Sequence, residues 1–271
     1  MTRGVKILLF LLLCQWTIIK AQEIEIQYLA NEGVLIKSQH KKILIDAIFK
    51  MEFDYLDVLP DDQLSKIGSA QAPYKSVDLI LATHIHGDHF NAQLVGGHLL
   101  ANKKTSFLGP KEVVDDFGEN FDSFDKISSR VQNETPEIGT SINAVINGVS
   151  IRALRLRHFG DKPWSEAENV AYLINIDGYK ILHVGDAKID VENLANFNLK
   201  DENIDVAILP YWQLGSLEQK EIIDKYINPK QILVAHIPPK SYDSAQDNVN
   251  SLNYENAIAL TGLFKTIILK R

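Results

Sequence analysis

Thr83-His84-Ile85-His86-Gly87-Asp88-His89-Phe90 is the stretch that decides the fold, and it follows an apolar run at residues 79–82. If that run is a buried strand, its period-2 alternation puts His84 and His86 on one side as the chain leaves the sheet. Gly87 permits a tight turn, after which Asp88 and His89 follow as a second pair. Imidazole nitrogen and carboxylate oxygen are ligands that zinc, iron and manganese accept, so the stretch predicts a metal site. Two ligand pairs separated by a turn can hold two ions side by side.

The first 21 residues predict a secretory signal peptide and not a part of the fold. Arg3 and Lys6 form a basic start, residues 7–19 form an apolar stretch, and Ala21 closes a cleavage region before Gln22. The apolar stretch is short for a membrane span, and an uncleaved N-terminal anchor is the alternative. We therefore expect a secreted or bacterial periplasmic protein with one domain over residues 22–271 and no stable membrane insertion after cleavage.

The composition excludes several kinds of chemistry. Cys14 is the one cysteine and lies in the leader, so the mature chain has neither a disulfide nor a thiolate ligand or nucleophile. The formal net charge is −7, and the leader contributes only positive charges to it. A chain this acidic shows no clustered Lys and Arg of the kind that bind nucleic acid. A small-molecule substrate is the expected partner, and the oligomeric state is left open.

Four further apolar runs predict buried strands that each deliver a chemically useful residue at the end. The runs cover residues 151–156, 179–184, 204–209 and 231–235. The residues that follow them are His158, Asp186, the pair Tyr211-Trp212, and His236. In layered α/β proteins, ligands collect where strands end and loops begin, so we expect one site assembled from distant segments.

Helices are predicted between these strands. One follows the histidine motif at residues 91–100, and one begins at the capping-box sequence from Ser216 and ends before Asn228-Pro229. Residues 110–117 and 191–197 also fit helices. In addition, residues 33–47 and 170–187 echo each other: each reads as a hairpin whose second strand delivers an aspartate, which hints at two similar halves.

Taken together, these residues resemble the metallo-β-lactamase superfamily of metal-dependent hydrolases. The likeness spans nearly the whole mature chain and is carried by the HxHxDH stretch, His158, the segment 181–186 and the late segment 234–236. It implies an α/β fold, the four-layer αββα sandwich, with a binuclear metal site at one edge. Carried over by position, the ligands of the first ion are His84, His86 and His158, those of the second are Asp88, His89 and His236, and Asp186 bridges the two.

The resemblance also implies a reaction. Two divalent ions, zinc first with manganese or iron(II) as alternatives, would share a hydroxide that attacks an ester-like, lactone, amide or phosphodiester bond. Asp88 is expected to orient the nucleophile or accept its proton. Asp46 is expected to hold a ligand histidine in its tautomer, and His183 to be packed within a strand.

Three aromatic residues follow strand ends or lie in a site loop and are candidates for an apolar substrate wall: Trp164, Tyr211 and Trp212. Ordinary packing under a loop is the alternative for each of them.

Other functions of the same fold stay open at this stage. Asp186 at the bridging position and the absence of cysteine from the mature chain disfavour β-lactamases. A mononuclear iron oxidoreductase of the persulfide-dioxygenase type would use the first ligand set and Asp186 alone. A catalytically silent binding or scaffold protein of the same fold is the third reading. Metal analysis separates the three, because they predict two zinc or manganese ions, one iron ion, or none.

Overall fold

Two seven-stranded sheets organise the computed structural model, which describes residues 22–51 and 55–271. The first sheet contains β1 (Glu23–Ala30), β2 (Gly33–Lys37), β3 (Lys42–Ile45), β4 (Leu79–Leu81), β5 (Ser106–Gly109), β6 (Val131–Asn133) and the last strand of the chain, β14 (Thr266–Lys270). The second contains β7 (Ser141–Ile146), β8 (Val149–Arg155), β9 (Val170–Ile176), β10 (Tyr179–His183), β11 (Val206–Pro210), β12 (Gln231–Ala235) and β13 (Ala257–Ala259). The strand orders are β14-β1-β2-β3-β4-β5-β6 and β13-β12-β11-β10-β9-β8-β7.

Helices cover the outer face of each sheet. Those on the first sheet are α1 (Asp61–Gly68), α2 (Ala92–Ala101) and α3 (Lys111–Asn120). Those on the second are α4 (Val191–Leu194), α5 (Leu217–Tyr226) and α6 (Tyr242–Ser251). The predicted four-layer αββα sandwich is confirmed. In the described part of the chain, every helix is too short or too polar to cross a membrane; the predicted signal peptide at residues 1–21 lies outside that part.

Strand alternation explains why both faces of each sheet are apolar. On β2, Val34 and Ile36 belong to the core between the sheets, whereas Leu35 belongs to the layer under α1–α3. On β10, Ile181 and Leu182 divide in the same way between the inner core and the layer under α4–α6. Each of these side chains is fully buried, which contributes about 1.5–3 kcal/mol per residue to folding. The chain therefore needs continuous apolar runs in its central strands.

The two halves repeat one topology, as the internal echo suggested. β2 pairs with β3 antiparallel and β3 with β4 parallel, while β9 pairs with β10 antiparallel and β10 with β11 parallel. Asp46 comes directly after β3, and Asp186 lies three residues after the end of β10. The repeat brings these two carboxylates to the same edge of the sandwich.

The predicted helix starts are confirmed by capping bonds. Asn91 accepts a hydrogen bond from the Leu94 N–H at 3.0 Å, and Ser216 accepts one from the Gln219 N–H at 3.2 Å. The Gln219 side chain accepts from Gly215 N–H at 3.3 Å, one residue before the cap. The helix expected at 191–197 is shorter, ending at Leu194.

Two helices, α1 and α6, were not predicted from the sequence. Each has only two buried positions: Leu64 and Ile67 in α1, and Ala245 and Val249 in α6. Helices of only 8 and 10 residues are marginal by themselves, and packing against the sheet stabilises them.

His98 in α2 makes the stability of the apo fold depend on pH. The imidazole is fully buried, its Nδ1 lies 2.7 Å from the Ile67 carbonyl oxygen, and burial lowers its pKa below the usual value. Below a pH of about 6.5, His98 therefore binds a proton in the unfolded chain but not in the folded chain. The free energy of unfolding decreases as the pH is lowered through this range. We expect His98→Gln to flatten the decline of the unfolding free energy between about pH 7 and pH 5. Urea unfolding of the metal-free wild type and His98→Gln at several pH values measures this difference. Unfolding free energies that fall in parallel for the two proteins would contradict the role of His98.

Candidate metal centre

Seven side chains converge where strands of both sheets end. They come from four segments of the chain: His84, His86, Asp88 and His89 after β4; His158 after β8; Asp186 after β10; and His236 after β12. The sequence predicted this set as one cluster, and the structure brings all seven together. Five of them are buried, and His86 and Asp88 are partly exposed.

Asp186 lies at the centre of the cluster. Its Oδ2 is 3.9 Å from His84 Nε2, 3.6 Å from His158 Nε2 and 3.8 Å from His236 Nε2. Its Oδ1 is 3.5 Å from His89 Nε2. These separations are long for N–H···O hydrogen bonds. They are close to the distance of about 3.4 Å between two ligand atoms that share one tetrahedral zinc ion.

The remaining residues form a second group around Asp88. Asp88 Oδ2 is 3.3 Å from His236 Nε2 and 3.6 Å from His89 Nε2. Two sets of ligand atoms therefore each lie within 4.8 Å: His84, His86, His158 and Asp186 in one, and Asp88, His89 and His236 in the other. Both sets combine imidazole and carboxylate, which is a donor set that divalent zinc, manganese or iron accepts.

Hydrogen bonds at the outer ring nitrogens fix the tautomers of two of the histidines. Thr83 Oγ1 donates its one proton to Asp46 Oδ2 at 2.6 Å, so at 3.0 Å it accepts from His84 Nδ1–H. His89 Nδ1–H donates to the same Asp46 oxygen at 2.9 Å. Asp46 thus has the geometry expected of it from the sequence. Both tautomers leave the Nε2 lone pair facing the cluster, which is the form a metal ligand needs.

The inner nitrogens have no partner of their own. Among the described residues, the Nε2 atoms of His84, His89 and His158 and Asp186 Oδ1 are buried without a hydrogen bond. Leaving buried polar atoms unpaired costs free energy, typically about 1–3 kcal/mol each. A cation between them would satisfy all four, so the residues present fit a divalent metal ion.

The electrostatics of the cluster keep His84, His86 and Asp88 in their binding forms. Burial, followed by the nearby His158 imidazole, lowers the pKa of His86 to about 4. Burial, followed by His89, also lowers the pKa of His84 well below its usual value. For Asp88, burial alone would raise the pKa, but the His89 imidazole and the contact with His236 hold it below the usual range. Neutral imidazoles and an ionised carboxylate at neutral pH are what metal binding requires. For His89, burial alone would lower the pKa, but the carboxylates of Asp186, Asp88 and Asp46 raise it well above its usual value, so a metal ion bound there has to displace a proton.

Unusual backbone conformations position two of the ligands, Asp186 and His236. Gly185 has φ +58, and a Cβ there would lie 2.5 Å from Thr83 Oγ1, so glycine is required immediately before Asp186. His236 itself has φ 54, and its N–H donates to the Asn31 carbonyl oxygen at 2.8 Å. A non-glycine residue in this region is strained, and such strain is common at functional sites.

A cavity of about 350 Å³ opens onto the cluster. Its walls include Met51, Tyr55, Phe159, Trp164 and Trp212 beside the ligand residues. Trp164 is 55% exposed with its ring centroid 5.1 Å from that of His86, and the Trp212 centroid is 4.5 Å from that of His236. An aromatic wall next to polar groups is typical of small-molecule sites.

Tyr211 does not line this cavity, contrary to the expectation from the sequence. It packs against the apolar layer under α4–α6, and its Oη accepts a hydrogen bond from Asn248 Nδ2 at 2.9 Å. The short 3₁₀ turn Tyr211–Leu214 explains the difference, because it turns the two neighbouring side chains in different directions. His183 is fully buried in β10, as predicted.

Sequence reasoning missed several residues around the cluster: Asn31, Glu32, Met51, Tyr55, Thr83 and Phe159. Asn31 donates to Asp88 Oδ2 at 3.0 Å, and Glu32 is completely buried. Burial, followed by the Asp186 carboxylate, raises the pKa of Glu32 well above its usual value. For Asn31 and Glu32, the sequence offered one signal: they are a polar pair between two apolar runs. Such a pair ordinarily indicates only a turn.

Comparisons with known proteins identify the family of the chain. A family model described as the beta-lactamase superfamily domain matches residues 25–236. A UPF0173 metal-dependent hydrolase of Pyrococcus abyssi is 24% identical over 227 residues, which cover 81% of this chain and 88% of that protein.

Solved structures share the fold. Igni18, a metallo hydrolase from Ignicoccus hospitalis, has a TM-score of 0.61 at 17% identity, covering 92% of this chain and 99% of that one. The isothiocyanate hydrolase from Delia radicum gut bacteria has a TM-score of 0.62 at 13% identity, covering 91% and 100%. Because the family model spans well over half of the sequence, the chain belongs to the beta-lactamase superfamily and is a metal-dependent hydrolase of that fold.

Proposed function

We propose that this protein is an exported binuclear hydrolase that acts on small molecules with an ester-like, lactone, amide or phosphodiester bond. In this proposal, His84, His86 and His158 hold one ion, Asp88, His89 and His236 hold the second, and Asp186 is shared. The observation that carries it is the set of buried ligand atoms, without hydrogen-bond partners in the described part of the chain, that face one another at 3.5–3.9 Å around Asp186. Asp88, His89 and His236 form a second set of ligand atoms, which favours two bound ions over one. A two-ion site in turn favours hydrolysis over the chemistry of a mononuclear iron enzyme.

The metal ions and Asp88 have different roles in the proposed reaction. Two bound divalent ions lower the pKa of water and polarise the bond under attack. Asp88 lines the cavity, is held ionised by its histidine neighbours, and is positioned by Asn31 Nδ2 at 3.0 Å. It is therefore suited to orient the attacking water and to accept its proton. His84 and His86, whose pKa values burial lowers, do not compete for that proton.

The aromatic wall favours substrates with an apolar portion. The Phe159 and Trp212 rings are tilted by 31° with centroids 5.9 Å apart, and the exposed Trp164 ring meets His86 edge-on. Apolar surface on the substrate would displace water from this wall, which adds binding energy without touching the reacting bond.

A metal analysis combined with a substrate screen tests the proposal. We expect about two ions of zinc or manganese per mature chain, and hydrolysis of at least one member of a panel of phosphodiester, lactone, thioester, ester and β-lactam substrates. Chelation should abolish that activity and restored metal should recover it. One iron ion per chain, or no hydrolysis by the metal-replete protein, would contradict the proposal.

Export is proposed from residues 1–21 alone. We expect the full chain to be recovered outside the cytoplasm with its mature N-terminus near residue 22, and a chain starting at residue 22 to stay inside. Cell fractionation with N-terminal sequencing measures both. Retention of the full chain in the cytoplasm would refute export without touching the hydrolase proposal.

Trp212→Ala is expected to raise KM and alter substrate preference, with metal content unchanged. Trp212 lines the cavity and cannot serve as a metal ligand, so its truncation removes ground-state binding. Steady-state kinetics on two substrates and metal content measure the effect. Tyr211→Ala, next to it but outside the cavity, is the control and should leave KM unchanged.

A thermal melt separates the wall role of Trp212 from plain packing. If Trp212 were core, its loss would cost about 3–5 kcal/mol of stability. A large fall in melting temperature with unchanged KM across substrates would refute the wall role.

A further inference from the structure

Glu32, in the turn between β1 and β2, presents a carboxyl group with no visible purpose in the fold. Its side chain is 0% exposed. Neither Oε1 nor Oε2 has a hydrogen-bond partner within residues 22–51 and 55–271. A buried carboxylate without a partner costs several kcal/mol, so a group of this kind needs a compensating cation or proton.

The turn is held against the metal centre from both halves of the sandwich. Asn31 Nδ2 donates to the Asp88 carbonyl oxygen at 3.2 Å, and the Asn31 carbonyl oxygen accepts from His236 N–H at 2.8 Å. The Glu32 carbonyl oxygen lies 3.0 Å from His183 Nε2. At Gly33, a Cβ would lie 2.9 Å from the Asp46 carbonyl oxygen. Glu32 therefore cannot swing to solvent without breaking these contacts.

The surroundings of Glu32 contain unpaired groups that face it. A Glu32 oxygen, a His89 ring nitrogen and an Asp186 carboxylate oxygen lie within 4.8 Å of one another. His89 Nε2 and Asp186 Oδ1 are themselves unpartnered in the described chain. His183 Nδ1 is 4.0 Å from Glu32 Oε2, but it accepts the Gly185 N–H at 3.2 Å and so has no proton to donate. A cation between Glu32, His89 and Asp186 would pair all of these atoms.

We propose that the Glu32 carboxylate is a further ligand of the second metal ion, where it joins Asp88, His89, His236 and the shared Asp186. This inference rests on the proposed binuclear function. Ligand atoms on opposite sides of one five- or six-coordinate ion are about 4.2 Å apart, so a small side-chain adjustment brings atoms that lie within 4.8 Å of one another onto one ion.

A ligand at Glu32 makes the two metal positions chemically different. The first position has three imidazoles and one carboxylate, whereas the second has two imidazoles and three carboxylates. Oxygen ligands suit harder ions, so the second position favours manganese or iron(II) relative to the nitrogen-rich first one. The protein would then distinguish its two ions by position.

The experiment measures metal stoichiometry and affinity in the full mature chain, with zinc alone and manganese alone as probes. Glu32→Gln keeps the size and polarity of the side chain and removes its charge. We expect the second ion to bind at least about 10-fold more weakly, with a larger loss for manganese than for zinc. The visible spectrum of the cobalt-substituted protein should change, because the second ion loses a ligand.

Glu168→Gln is the matched control. Glu168 is a partly buried carboxylate that accepts a bond from Glu112 N–H at 2.9 Å, and it contributes to none of the ligand clusters among the described residues. Its substitution should leave both affinities and the cobalt spectrum unchanged.

Two failures are distinguishable. Wild-type protein that binds fewer than two ions overturns the binuclear function itself. Wild-type protein that binds two ions, together with unchanged affinities in Glu32→Gln, overturns the role of Glu32 alone and identifies it as a buried protonated acid. If Glu32→Gln does not fold by circular dichroism, Glu32→Asp decides: the shorter carboxylate should weaken the second ion, and an unchanged affinity overturns the proposal.

Discussion

Asp186→Asn should lower activity by about 100-fold or more and release at least one metal ion from a protein that stays folded. Loss of a group that only supports a ligand already costs about 10–100-fold in affinity or activity, and a shared ligand should cost at least as much. Asp186 is 3.5–3.9 Å from the Nε2 atoms of His84, His89, His158 and His236, so its charge acts on both ligand sets. Metal content, kinetics and circular dichroism on the same preparation measure the effect.

The isosteric amide keeps the shape of the Asp186 side chain, so a packing effect is not expected. Asp247→Asn, on the exposed face of α6, is the control and should behave as wild type. A fully metallated Asp186→Asn protein with an unchanged rate would show that the carboxylate is not shared between two ions.

Asp46→Ala should both destabilise the fold and weaken metal binding. Asp46 is 1% exposed and accepts three bonds: from Thr83 N–H at 2.8 Å, from the Thr83 hydroxyl at 2.6 Å and from His89 Nδ1–H at 2.9 Å. Removal of one partner of a buried polar network costs about 3–5 kcal/mol. Because His89 also loses the acceptor that fixes its tautomer, metal affinity should fall about 10–100-fold. Urea unfolding and metal titration measure the two effects.

Asp205→Ala is the control that separates the effect of Asp46→Ala on stability from its effect on metal affinity. Asp205 is also buried, but its partners are Lys180, Lys230 and Arg271, which lie outside the metal cluster. Its loss should lower stability and leave metal affinity unchanged. Equal metal affinities in wild type and Asp46→Ala would contradict the tautomer role of Asp46.

The predictions that succeeded rest on patterns that are local in sequence. Buried strands need continuous apolar runs, and the runs ahead of His84, His158, Asp186 and His236 each became a strand with a polar residue beyond its end. Asn91 likewise formed its helix cap, because capping depends on neighbours three residues away. Local signals of this kind predicted which seven residues would converge, whereas the αββα layers were implied by the resemblance to the metallo-β-lactamase superfamily.

Pairwise contacts between distant segments decided the rest. The sequence could not show that Glu32 is buried against Asp186, since its two neighbours on the chain predict only a polar turn. Nor could it separate Tyr211 from Trp212, because one 3₁₀ turn directs the first toward Asn248 and the second toward His236.

The sequence by itself therefore determined the buried strands, the metal-ligand candidates and their order along the chain, because strand periodicity and residue chemistry depend on residues that are close in sequence. Only the tertiary structure decided which side chains line the cavity and which ring nitrogen of His84 and His89 faces the cluster. It also decided that Glu32, in the β1–β2 turn, lies beside the cluster. Those features depend on the packing of one sheet against the other, which brings residues more than 150 positions apart, such as Glu32 and His183, to 3.0 Å.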